Sequence, residues 1–225
     1  MIDSPFHIFA PFADRLAVRL CTRADAVNGD DALRTLLHTD RIASLHQVHG
    51  NHTIIVQEPT SRTEQADGFV TDTPDLFLTI RTADCQSILA FDPATNVLGM
   101  LHCGWRGLVH GAIPAFIATF HDHFHSHPAD LLVGCGPSLC KRCAHFSDPR
   151  TELPGIPDYF FDDHRVDLQA VAHWQLTESG VRTSNIERSP ECTKCNNDLY
   201  WSYRGTDRDR VKEGWTNVLA AALLR

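Results

Sequence analysis

No stretch of this sequence comes near the roughly 20 consecutive apolar residues that a membrane-crossing helix needs. Its start, MIDSPFHIFAPFADRL, has neither the basic lead nor the continuous apolar run of a secretory leader. A cytoplasmic protein without a membrane partner is therefore expected. Positive charge is also in deficit, since 20 Lys and Arg against 28 Asp and Glu leave a formal charge of -8. That balance argues against a nucleic-acid partner, leaves room for an isolated basic pocket, and favours a small ligand. Linkers, internal repeats and low-complexity tracts are missing, so residues 1–225 read as a single domain. No glycine-rich fingerprint follows the first strand, which excludes a doubly wound dinucleotide fold.

What is present is an ordinary globular composition, 43% apolar and 21% charged. Strand-like and helix-like runs alternate in irregular order, which indicates an α+β chain. Residues 42–48 (IASLHQV) and 53–57 (TIIVQ) read as a hairpin with histidines at its tip, because Gly50-Asn51 supplies turn chemistry. Residues 76–80 and the run QSILAF after Cys85 are further strands, with 97–101 returning after the turn cluster DPATN. Residues 108–124 have helical period with Pro114 as an irregularity, and 131–133 make a short strand. A helix over 167–178 stops at Gly180, and WTNVLAAALLR at 215–225 reads as a closing helix.

Chemistry concentrates where the strand 97–101 ends in His102-Cys103-Gly104-Trp105-Arg106-Gly107. If 91–96 closes a hairpin, Cys85 lies opposite His102, at the cross-strand distance of about 4.5–5.5 Å between Cβ atoms. Cys103 then faces the other way, into the core. A thiol beside an imidazole suits either a nucleophile with its base or a metal centre. Catalytic zinc wants three protein ligands and an open position, and His46, His49 and His52 all compete for the third place.

Six short motifs recur in order: QVHG at 47–50, ADG at 66–68, TADC at 82–85, HCGWRG at 102–107, GPS at 136–138, and CTKC with YWSYRG at 192–205. Together they resemble the laccase-domain, or polyphenol oxidase, family, over about residue 46 to the C-terminus. That family comprises zinc-containing purine nucleoside phosphorylases with adenosine deaminase and methylthioadenosine phosphorylase activity. The resemblance implies a layered α/β/β/α fold with mixed sheets. It implies Zn2+ on His49, Cys85 and His102, and a purine nucleoside and phosphate as partners. The reactions implied are phosphorolysis of adenosine, inosine, guanosine and methylthioadenosine, and deamination of adenosine by attack of water at C6. Two departures stand out: Cys103 replaces the usual alanine of HAGWRG, and the segment between Thr22-Arg23 and Asn28-Asp31 is short for the family.

Among the residues around the triad, Asp84 is read either as the carboxylate that orients a ligating histidine or accepts a proton, or as a local turn carboxylate. Arg106, within GWRGLVHG, reads as an anion-binding group at a helix start, with Arg81 and Arg23 as further candidates. Trp105 reads as a core or rim aromatic. Cys140, Cys143, Cys192 and Cys195 have the C-x-x-C pairing of a second, structural metal site, against the plainer reading of neighbouring core thiols. His121, His123, His125 and His127 read as the solvated end of a helix, since alternate positions do not share a helical face.

Three competing functions carry their own marks. A metal-free protein with a reactive Cys85 would be a cysteine-nucleophile hydrolase or deamidase assisted by His102. Some relatives are associated with peptidoglycan editing, so a non-catalytic binding role is a second alternative. Copper oxidase chemistry is the third, less favoured, because the chain has two methionines and lacks an HCHxxxH run.

Overall fold

Two mixed β-sheets lie face to face, and the alternation of side chains along their strands decides what each face meets. The computed structural model describes all 225 residues. One sheet has the order Ile186–Arg188, Leu132–Cys135, Gln86–Asp92, Val97–Cys103, Gly68–Thr71, Thr53–Ile55, antiparallel at its centre and parallel in its two outer pairs. The other runs Ile2–Asp3, Leu16–Cys21, Asn217–Leu223, Phe77–Thr82, Ile42–Ala43, with only the last pair parallel.

Phe69, Leu89, Phe91, Leu98 and Met100 from the first sheet share one core with Leu16, Val18, Leu20, Leu78, Ile80, Leu219 and Leu223 from the second. Their neighbours one position away, Val70, Ile88, Ala90, Leu101 and Val133, point to the opposite face and pack under the helices Ala112–Phe124 and Leu168–Glu178. On the outer face of the second sheet, Cys21, Ile42 and Val218 pack with Val27 and with Leu33 of the helix Asp30–Leu37. The period of two thus produces an α/β/β/α stack, the architecture that the resemblance implies. Each fully buried Phe or Leu in these layers contributes about 1.5–3 kcal/mol.

Four expectations change. Residues 42–48 and 53–57 do not form a hairpin: Ile42–Ala43 and Thr53–Ile55 belong to different sheets, and the chain between them crosses from one to the other. The closing segment is a strand, Asn217–Leu223, buried at every position in the middle of its sheet. Its Ala-rich composition favours helix in isolation, but a run apolar on both faces also fits a central strand, and packing from both sides decides. The helical stretch after Gly104 is two helices, Trp105–Val109 and Ala112–Phe124, separated at Gly111 with φ 72°. Pro114 lies in the first turn of the second, where its missing N–H breaks no helical bond.

The fourth change is a register. Gln86 pairs with Cys103 and Asp92 with Val97, two residues from the expected pairing. Asp92 sets this turn, because its carboxylate accepts the N–H of Ala94 at 2.8 Å and the hydroxyl of Thr95 at 2.8 Å, and Asn96 takes φ 56°. A shift of two keeps every side chain on its expected face.

Candidate metal centre and its cavity

His102 continues the inward-facing series Leu98, Met100, and Ser87 opposite it continues Phe91, Leu89. One more step places Cys85 just beyond its strand on the same side, diagonal to His102 and within reach. Asp67 extends the series of Phe69 on the neighbouring strand. The site is therefore the end of the layer between the two sheets, where strand ends leave room for polar groups.

His49 completes the group. Its ring nitrogen, the Cys85 sulfur and a His102 ring nitrogen all lie within 4.8 Å of one another. The Cys85 Sγ to His49 Nε2 distance is 3.9 Å, and the two imidazoles meet edge to face at 4.7 Å between centroids. His46 lines the same cavity without joining this group, and His52 Nδ1 is at 3.3 Å from the Gln65 carbonyl.

Asp67 holds the arrangement. Its fully buried carboxylate accepts from the backbone N–H of His49 at 2.9 Å and Gly50 at 2.6 Å, more weakly from Val48 at 3.3 Å, and from His102 Nδ1 at 2.8 Å. These bonds stabilise His49 at φ 62°, a conformation that non-glycine residues adopt only when the surroundings enforce it. They also orient the His102 ring: Nδ1 lies against Asp67 at 2.8 Å, so Nε2 faces the group and would ligate a metal once its proton is displaced. Gly104 leaves the space for it, since a Cβ there would stand 2.9 Å from the Cys85 sulfur and 3.1 Å from His49 Cδ2.

The electrostatics follow from burial and contact. Burial pushes the Cys85 thiol up, but the His102 charge and hydrogen bonds from both histidines outweigh it and bring it down to about 6. Burial pushes His102 down, and the Cys85 thiolate with the Asp67 hydrogen bond carry it up to about 9. Two imidazoles and a depressed thiolate are a donor set that fits zinc, with the His102 ring oriented from behind by a carboxylate that also holds the His49 backbone. Cys103 sits on the opposite face, 2% exposed, in the helix-side core, and its thiol is held well above the ordinary range, first by burial.

Asp84 does not orient a ligand. Its carboxylate accepts from Thr193 Oγ1 at 2.7 Å, Ser202 Oγ at 2.6 Å and the Arg204 N–H at 2.6 Å, while its carbonyl takes the Leu139 N–H at 3.2 Å. Held at φ 95° by those bonds, it fixes the turn that presents Cys85 and anchors the C-terminal loop. Of the two readings open for Asp84, its bonds are those of a turn carboxylate; the carboxylate against His102 is Asp67 of the ADG motif, and only that motif pointed to it. Arg23 is likewise a tie: it bonds the carbonyls of Asn197 and Tyr200, pairs with Asp207, and stacks on Trp201 at 4.1 Å.

The triad opens into a cavity of about 1160 Å³. Seven of its lining residues are Lys or Arg, including Arg62, Arg81, Arg106 and Lys194, against the carboxylates of Asp84 and Glu152. An acidic chain has thus gathered a positive hollow around this site. Arg106 is exposed and lies over the Trp105 ring at 4.1 Å, and Trp105 packs edge-on against Phe146 at the rim. Arg81 is 7% exposed; Nη2 pairs with Asp30 at 2.6 Å, whereas Nε and Nη1 are buried with no partner. The exposed histidines at 121, 123, 125 and 127 lie away from this cavity.

Comparison with known proteins agrees with the motifs. The chain is 32% identical over 198 residues to "Purine nucleoside phosphorylase ORF3" of Streptomyces griseus, covering 84% of this chain and 78% of that protein. It is 24% identical over 206 residues to "Adenosine deaminase RL5" of an unknown prokaryotic organism, covering 78% of each. The solved structure of YlmD from Geobacillus stearothermophilus superposes with a TM-score of 0.82 at 22% identity, over 98% of this chain and 94% of that one. The family model described as multi-copper polyphenol oxidoreductase laccase matches residues 23–217, and the chain belongs to that family.

Proposed function

We propose that this chain is a zinc-dependent cytoplasmic enzyme of purine nucleosides, acting by phosphorolysis of the glycosidic bond and by deamination of adenosine. The observation that carries the reading is the His49, Cys85 and His102 donor set opening into a cavity with seven cationic lining residues. The names of the relatives, purine nucleoside phosphorylase and adenosine deaminase, support it.

Zinc held by His49, Cys85 and His102 would supply Lewis acidity toward an oxygen or nitrogen placed against it. The protein's own part follows from the geometry. Asp67 orients the His102 ring so that Nε2 faces the group, and holds the His49 turn. Arg81, whose Nε and Nη1 are buried without a partner, and the cations Arg106 and Lys194 in the cavity lining suit a dianionic phosphate, which needs several donors to leave water. Trp105 and Tyr203 line the same cavity and offer aromatic surface to a purine and its ribose. The test is turnover of inosine with phosphate and of adenosine with water, in wild-type protein and in Cys85→Ala. Loss of both reactions in the variant is expected; undiminished turnover would remove the triad from the mechanism.

One observation favours a second reading. A Cys85 thiol at about 6 beside a His102 at about 9 forms a thiolate–imidazolium pair, the ground state of a cysteine nucleophile. Activity retained after complete metal removal and abolished by iodoacetamide would select it over the metalloenzyme.

A further inference from the structure

Cys140, Cys143, Cys192 and Cys195 come from two loops far apart in sequence, and the fold sets them together. Cys140 and Cys143 follow the strand Leu132–Cys135, and Cys192 and Cys195 follow the strand Ile186–Arg188 that pairs with it in parallel. Their sulfurs all lie within 4.8 Å of one another, with Cys140 to Cys195 at 3.9 Å and Cys143 to Cys195 at 3.5 Å, and all four are free thiols. A tetrahedral zinc with Zn–S bonds of about 2.3 Å has sulfur–sulfur edges of about 3.8 Å. The Cys140–Cys195 and Cys143–Cys195 separations lie close to that edge length, and the other sulfurs are within 4.8 Å.

The local backbone is shaped for the same purpose. The Cys143 and Ala144 N–H groups turn back onto the Cys140 carbonyl at 2.9 and 3.0 Å, and the Asn196 N–H onto the Cys192 carbonyl at 2.9 Å. The Cys140 N–H points at the Cys192 sulfur at 3.3 Å. Lys141, Arg142 and Lys194 fill three of the four places between paired cysteines, and Arg142 Nη2 donates to the Cys195 sulfur at 3.4 Å. Four thiolates around a dication leave a net charge of -2, which these cations offset. Core thiols need none of this, and Cys195 is exposed.

We propose that Cys140, Cys143, Cys192 and Cys195 bind a structural zinc ion that clasps the loop carrying Ser138 and Leu139 to the loop carrying Thr193 and Lys194. Both loops meet the turn that presents Cys85: Leu139 and Thr193 bond to Asp84, and Thr193 N–H to the Ser138 carbonyl at 3.3 Å. Ser138, Leu139, Cys143 and Lys194 line the cavity. The clasp therefore holds one wall of the first site in place, without supplying a ligand to it.

Binding releases the thiol protons to solvent and involves no change of oxidation state. The first measurement is zinc per chain by elemental mass spectrometry on wild type, His49→Ala with His102→Ala, and Cys195→Ser. About two zinc ions are expected in the wild type and about one in each variant, and zinc X-ray absorption of the histidine variant should show sulfur alone at about 2.3 Å. Hydrogen exchange in Cys195→Ser should quicken in residues 136–146 and 190–206. A histidine variant without zinc, whose wild type holds about one ion, overturns the clasp while leaving the first site intact. Iron at the quartet, or a disulfide among these cysteines in freshly purified protein, overturns it as well. Failure of the first site would instead appear as zinc unchanged by the histidine substitutions.

Discussion

Replacing Asp67 by Asn keeps the shape of the side chain and removes one acceptor oxygen and the charge. Four donors converge on this carboxylate, Oδ1 taking His49 N–H and His102 Nδ1–H and Oδ2 taking Gly50 N–H with a weaker contact from Val48. An amide has one oxygen, so its NH2 must face one of these pairs. If the oxygen stays with His49 and His102, the Gly50 N–H loses its 2.6 Å bond, while exposed Val48 can turn to water. An orphaned donor costs about 1–3 kcal/mol, and a lost charge-assisted bond about as much again in part, for a total of about 2–3 kcal/mol. For a chain of this size that lowers Tm by roughly 5–10 °C. Without the carboxylate behind His102, zinc affinity should fall roughly 10- to 100-fold. Competition with a chromophoric chelator reads the affinity, and thermal unfolding of the metal-free protein reads the stability. Wild-type values in both would show that Asp67 neither orients His102 nor holds the His49 turn.

Gly104→Ala adds a methyl against the Cys85 sulfur and His49 at a residue whose φ of -81° any amino acid accepts, so zinc affinity should drop at least tenfold with little loss of Tm. Metal binding at wild-type strength in that variant would mean the triad is not packed as described. In metal-free protein, alkylation of Cys85 by iodoacetamide should be near its plateau at pH 8 and fall as pH drops through about 6, because its folded value is depressed. Peptide mass spectrometry separates it from Cys103, which should stay unmodified throughout; a Cys85 profile still climbing at pH 9 would contradict the His102 pairing. Arg81→Lys keeps a charge near Asp30 but loses the unpaired Nε and Nη1 donors, so KM for phosphate in inosine phosphorolysis should rise roughly tenfold, a change of about 1.4 kcal/mol, with deamination less affected. Equal losses in both reactions would place Arg81 in support of the fold alone.

Much of the site was legible because it lies on one hairpin. Cys85 and His102 flank a turn whose residues are plain in DPATN, and even a two-residue error in register leaves both on the inward face. Cys103 was assigned to the core by the same alternation. His49 was not separable from His46 and His52 by residue chemistry, since what selects it is a left-handed turn held by a carboxylate 18 positions away, a contact no local pattern records. For the same reason the orienting role stayed open at Asp84, adjacent to Cys85, and was not placed at Asp67. The closing strand Asn217–Leu223 was hidden by its composition: alanine and leucine favour helix, and only the two flanking strands make it a strand.

The central claim is that His49, Cys85 and His102 bind a metal that purine nucleoside turnover requires. The direct measurement is zinc content together with inosine and phosphate turnover for wild type and Cys85→Ala, with Cys195→Ser alongside to account separately for zinc at the cysteine quartet. The account predicts that Cys85→Ala loses about one zinc per chain and its turnover together. Full zinc and full turnover in that variant, or a wild type with neither, would contradict it.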